Sequence, residues 1–253
     1  MGGVGAAAAA ITPIPLAANG SGISDGTLRK AALIVDISDY EHGPNLKTPG
    51  ADARLIGGLL ARLGFRVHQV TNPDRDALLY GLARFRELAQ SANLVAIHIA
   101  SHGTIVGSSG MIFPSDTPFD RPAMTLRYGV TEDVILRAVS DRPRQRLLFF
   151  DACRAPLDQK DAGMMRRDTG TQLAPAGVFA LYSAQPGAVA YDGAGAYSPF
   201  AAGLALSLAT PNLQAAEVAR MTRLHVLRAT GGRQIVWSRS SLLSPIILNR
   251  TSA

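Results

Sequence analysis

The chain has 253 residues, 47% of them hydrophobic and 17% charged. That suits one α/β domain of somewhat more than average size with a sizeable core, and it excludes a wholly disordered chain. The formal net charge is +6. The positive residues are scattered, and the densest groups, Arg142-Pro143-Arg144-Gln145-Arg146 and Arg166-Arg167, lack the interleaved aromatics of a nucleic-acid platform.

Met1 to about residue 26 is rich in Ala and Gly, and Pro13 and Pro15 interrupt any helix there. The stretch to Ser24 carries no Lys or Arg, so the charged start of a signal peptide is missing. It reads as a flexible leader, with a remnant signal sequence as the alternative. The compartment stays open accordingly: cytoplasmic, or periplasmic or secreted if the leader is a signal remnant. No later run is long and apolar enough for a membrane span.

The ordered part starts near Thr27. Ala31 to Ile37 is a continuous apolar run, suited to a strand buried on both faces. A helix follows from Gly50 to Leu63, with Leu55, Ile56, Leu59, Leu60 and Leu63 on one stripe and Gly64 as its stop. Phe65 to Val70 is a second strand, and Asn72-Pro73-Asp74 opens a helix running to about Gln90. Leu94 to Ala100 is a third strand, Thr131 caps a helix through Ala138, and Arg146 to Phe150 is a fourth strand. Asp158 to Pro175 is polar and reads as a long exposed loop. Gly177 to Ser183 is a fifth strand, helices cover Pro199 to Leu208 and Gln214 to Leu227, and Leu243 to Leu248 is a final strand. Strands alternating with helices predict a mainly parallel central sheet of about six strands, flanked by helices on both faces. The domain spans 27–250, in halves 27–157 and 176–250 separated by the loop 158–175.

In such a sheet, function concentrates beyond the carboxyl ends of the strands. The third strand ends in Ala100-Ser101-His102-Gly103 and the fourth in Asp151-Ala152-Cys153-Arg154. The chain's one cysteine, Cys153, cannot form an intramolecular disulfide. It leaves the same sheet edge as His102. A thiolate is the nucleophile, an imidazole takes its proton and returns it to a leaving amine, and the oxyanion needs backbone N–H donors. Gly103, with no side chain to obstruct approach, and Cys153 supply those donors. His98 lies inside an apolar strand and reads as core. One Cys and dispersed His give no metal-ligand cluster.

Ser101-His102-Gly103, a separation of 51 residues from His to Cys, and Asp151-Ala152-Cys153-Arg154 together resemble the caspase-like cysteine peptidases, which include metacaspases and many bacterial members. Leu46 to Ala53, Tyr182 to Gly187, and Asp192 to Leu204 with Ser198-Pro199-Phe200 are similar to further segments of the family. The resemblance implies a caspase-like fold and an endopeptidase acting on protein or peptide substrates; the scattered charge and the lack of a long apolar run predict no nucleic-acid or membrane partner. It implies cleavage after Arg or Lys, as in metacaspases, through pocket carboxylates matching Asp52 and Asp151. Two carboxylates suit a guanidinium by charge-assisted hydrogen bonds. Caspases proper use arginines to hold an Asp, and Arg54 and Arg154 keep that alternative open. A silent caspase-like scaffold is the other. No redox or organic cofactor is implied, and calcium dependence is a family analogy that no residue here indicates. Arg154-Ala155-Pro156 stands where metacaspases usually continue with His-Ser-Gly. Members are often cut between their halves, which makes Lys160, Arg166 and Arg167 candidate self-cleavage sites.

Overall fold

In the computed structural model, residues 29–107, 109–139, 145–155 and 176–251 are described. The leader and the whole loop 158–175 carrying Lys160, Arg166 and Arg167 lie outside them.

The parallel core is built from β1 (Lys30–Asp36), β2 (Phe65–Thr71), β3 (Leu94–Ala100), β7 (Gln145–Asp151) and β8 (Val178–Tyr182). With the antiparallel β9 (Trp237–Ser240) at one edge, the six strands lie in the order β2-β1-β3-β7-β8-β9. Along each central strand the side chains alternate between two cores. Leu33, Val35, Ile97, Ile99, Leu148, Phe150 and Tyr182 enter one, packed by α2 (Arg75–Ala89) and α4 (Glu132–Val139). Ile34, Ala96, Phe149 and Leu181 enter the other, under α1 (Pro49–Arg62), α5 (Pro199–Ala209) and α6 (Ala215–Ala229). Helices therefore cover both faces, as the alternation of strands and helices predicts. His98 is 0% exposed between Ile34 and Phe149, a core residue.

Local chemistry sets the boundaries. Pro49 opens α1, where a missing N–H costs nothing, and Gly64 at φ +83° ends it in the left-handed region that glycine favours. The Asp74 carboxylate accepts the Ala77 N–H at 2.7 Å to cap α2. The Thr131 hydroxyl accepts the Val134 N–H at 3.4 Å, in keeping with its expected capping role.

Two differences from the sequence reading stand out. Beyond β3 the chain forms a small antiparallel sheet, β4 (Gly103–Val106), β5 (Ser109–Ile112) and β6 (Val130–Thr131), with α3 (Pro122–Tyr128) before β6. These strands are too short and too rich in Gly and Ser to announce themselves. The last strand is Trp237–Ser240, not Leu243 to Leu248. The latter segment makes only an isolated bridge, Ile247 to Gln214, while Ile246 and Leu248 pack into the core beside α5 and α6. Its apolar residues answer to helices rather than to a sheet, and the half-exposed edge strand Trp-Ser-Arg-Ser has no apolar run to reveal it.

Candidate active site

The register of β3 against β7 pairs Ala100 with Asp151. His102 and Cys153 each follow that rung by two residues, at the carboxyl end of adjacent parallel strands. The rung is extended by the Ser101 N–H, which donates to the Asp151 carbonyl at 3.2 Å. The sequence reading of one shared edge holds.

His102 is fixed from three sides. Its N–H donates to the Tyr40 hydroxyl at 2.8 Å, and the Tyr40 ring lies 4.6 Å from the imidazole, centroid to centroid. Phe119 packs edge-on at 5.5 Å. Nε2 lies 2.8 Å from the Pro44 carbonyl oxygen. A carbonyl only accepts, so Nε2 carries the hydrogen and Nδ1 keeps the lone pair. That is the tautomer a proton acceptor needs.

Cys153 is half-buried, and its thiol donates to the Ala190 carbonyl at 3.6 Å. Burial raises its pKa, and the charges of Asp151 and Asp192 raise it further. Gly103 stands directly against this residue. A Cβ placed there would meet Met111 O at 2.7 Å, Ala152 Cβ at 2.8 Å and Cys153 O at 3.3 Å, so no side chain fits. The glycine is needed for contact between the two strand ends, a closer constraint than the ligand approach expected from sequence. The Phe113 N–H donates to the His102 carbonyl, so antiparallel alternation turns the Gly103 N–H away from β5.

Beside Cys153 lies a cleft lined by Leu46, Asp52, Ala152, Asp192 and Ser198 among others. It encloses about 310 Å³ including its open mouth, at the small end of ligand sites and suited to a side chain. Three carboxylates meet here: Asp52 from α1, Asp151 from β7 and Asp192 from the segment before α5. Ser198 ties two of them together. Its N–H donates to Asp52 Oδ1 at 3.0 Å, and its hydroxyl donates to Asp151 Oδ2 at 2.6 Å while accepting the Ala201 N–H to cap α5. Asp192 Oδ2 accepts the Lys47 N–H at 3.1 Å. The Thr48 hydroxyl lies near Asp52, yet the buried Oδ2 of Asp52 has no hydrogen-bond partner among the described residues.

Burial pushes Asp52 up to about 6, with the nearby Asp192 charge adding to it. Burial, then repulsion from Asp52 and Asp192, pushes Asp151 up to about 7. Among the described residues no Arg, Lys or His lines the cleft. Such a site can accept a cation that donates several hydrogen bonds. Among the described residues no group of three His, Cys, Asp or Glu is placed to hold a metal ion.

The arginines of the alternative specificity lie elsewhere. Arg54 is exposed and acts on Asp36. Arg154 is buried, its guanidinium 4.1 Å from the centre of the Tyr182 ring and near Glu132, which itself binds Tyr182 and Arg239. Lys160, Arg166 and Arg167 are outside the described residues. The sequence reading missed Tyr40, Pro44 and Ser198 as parts of the site, and did not single out Asp192. The one signal for Asp192 was its place at the head of a family-like segment; Tyr40 and Pro44 act through a hydroxyl and a main-chain carbonyl that leave no mark in sequence.

Comparison with curated proteins finds no match. Among solved structures, the chain is similar to caspase-1 from Spodoptera frugiperda, with a TM-score of 0.65 and 15% identity over 90% of this chain and 92% of that one. At that identity the likeness speaks for the fold. The family model of the caspase domain matches residues 29–247, and with so much of its length covered the chain belongs to the caspase domain family of cysteine peptidases.

Proposed function

We propose that this chain is an active endopeptidase that cleaves after Arg or Lys, with Cys153 as nucleophile and His102 as its base. The observation that carries the reading is the cleft on whose wall Cys153 sits: it is lined by three carboxylate residues and, among the described residues, by no cation. A guanidinium or ammonium entering the cleft would meet carboxylate residues along its walls, and an Asp side chain would add a fourth negative charge.

The chemistry follows from the groups present. The thiol proton passes to His102 Nδ1, and the thiolate attacks the scissile carbonyl. The N–H groups of Gly103 and Cys153 face the oxyanion that forms. As the C–N bond breaks, His102 returns the proton to the leaving amine and a thioester remains. Water then attacks, giving its proton to His102, and the released thiolate recovers a proton. Pro44 holds Nε2–H throughout, so the same nitrogen serves as acceptor and donor.

The test is labelling with peptidyl chloromethyl ketones ending in Arg or in Asp, read by intact mass. The Arg reagent should add one adduct at Cys153, the Asp reagent none, and Cys153→Ala should take up neither. His102→Ala should cleave amide substrates slower by orders of magnitude, with folding intact. An Asp adduct at Cys153 in place of the Arg one contradicts the specificity. Unchanged turnover in Cys153→Ala contradicts the nucleophile. Self-cleavage after Lys160, Arg166 or Arg167 belongs to the same reading; it would give two fragments from wild type on long incubation and none from Cys153→Ala.

A further inference from the structure

Cys153 shares its cleft with every carboxylate of the proposed specificity site. Asp151 precedes it by two residues, Asp192 follows by two the residue whose carbonyl receives the thiol, and Ser198 bridges Asp52 to Asp151. We propose that the substrate's own cation switches on the nucleophile: with the cleft empty the carboxylates hold Cys153 as an unreactive thiol, and a guanidinium or ammonium entering the cleft releases that hold. The inference rests on reading the cleft as the site for Arg or Lys.

The charges around the sulfur support it. Burial acts most strongly against a thiolate, the backbone contact with Ala190 partly offsets it, and Asp151 and Asp192 both add to the opposition. The neighbouring cations are occupied elsewhere. The Arg154 guanidinium stacks on Tyr182. Lys47 touches Asp192 with its main-chain N–H, its side chain being exposed. His102, on the adjacent strand end, bonds Pro44 through Nε2 and becomes positive only by taking the thiol's proton. A guanidinium among the carboxylates cancels their repulsion of the thiolate, and the proton moves from Sγ to Nδ1 with no further reactant. A substrate with a neutral side chain would then lose turnover as well as affinity. The geometry that places the three carboxylates together is separate from these charges: Ser198 bridges Asp52 and Asp151, and Asp192 lines the same cleft as Cys153.

The experiment is alkylation of Cys153 in the full-length protein by iodoacetamide, a small neutral reagent, across pH with and without saturating agmatine, an alkylguanidinium. The quantity read is the midpoint of the pH profile. A ligand that merely blocks access lowers the rate at every pH and leaves the midpoint in place. Agmatine should move the midpoint down by about one pH unit, so that the rate at pH 7, relative to its plateau, rises several-fold. Asp192→Asn should lower the midpoint without ligand and shrink the agmatine shift. Competition of agmatine with an Arg peptide substrate is measured in parallel. Competition with an unmoved or raised midpoint overturns the switch and leaves the specificity standing. Failure to compete, with cleavage of Arg peptides absent, overturns both.

Discussion

Asp52, Asp151 and Asp192 line one cleft beside Cys153. Asp151 and Asp52 carry pKa values pushed up to about 7 and about 6 in the empty cleft. Below those values they are neutral and attract no cation, so recognition of Arg should fade as pH drops through 7 towards 5.5. The ratio of kcat/KM for an Arg substrate to that for its neutral citrulline analogue isolates this effect, because both values start from the same free enzyme. We expect the ratio to fall with falling pH in wild type and to be smaller, by about 2–5 kcal/mol at pH 8, in Asp151→Asn. A ratio flat across that range would contradict the role of the carboxylates. At this scale the sequence was informative where a residue's type is its chemistry, as with Cys153 and His102 at strand ends. It was silent where the work is done by a carbonyl such as Pro44 or by a residue distant in sequence, such as Asp192, which the folded chain alone brings to the cleft.

His102 and Cys153 stand two residues beyond the ends of β3 and β7, where Gly103, the first residue of β4, lies in close contact with Ala152 and Cys153. Gly103→Ala would drive a methyl group into Met111 O and Ala152 Cβ. Overpacking of this kind costs about 1–3 kcal/mol. We expect a lowered melting temperature and a larger proportional loss of kcat, since the displaced atoms belong to Ala152 and Cys153; a variant with wild-type kcat would remove Gly103 from the site. The clip after Cys153 is built alike: the Arg154 N–H donates to Ala188 and its carbonyl accepts the Gly187 N–H, each at 3.0 Å, which brings the segment bearing Ala190 and Asp192 over the cleft. The long apolar strands and striped helices were legible in the sequence because burial on one or both faces imposes a period on them. The small sheet β4-β5-β6 and the edge strand β9 were not, being too short or too polar for burial to shape their composition, and the apolar run at Leu243 to Leu248 misled because helices rather than strands bury it.

For the whole molecule, the two carboxylates with raised pKa values make stability depend on pH. Asp52 and Asp151 have folded pKa values above the ordinary 3.8. Below 3.8 both states are protonated and no penalty exists; as pH rises from there to about 7 the unfolded chain releases these protons first, and the contribution to stability is progressively lost. Agmatine should therefore raise the melting temperature more at pH 8 than at pH 5.5, a difference that Asp52→Asn and Asp151→Asn should reduce; equal shifts at both pH values would contradict the linkage. The architecture behind this, a six-stranded sheet with helices on both faces, was readable from the order of apolar runs. That Asp52 and Asp151 line one cleft was suggested only by resemblance, since nothing in the sequence alone brings the two together. The most direct test of the central claim is a cleavage profile of wild type on a peptide library, with Cys153→Ala as control. Cleavage after Arg and Lys in wild type, and none in the variant, is the result expected; cleavage after Asp, or a wild type that cleaves nothing, would contradict it.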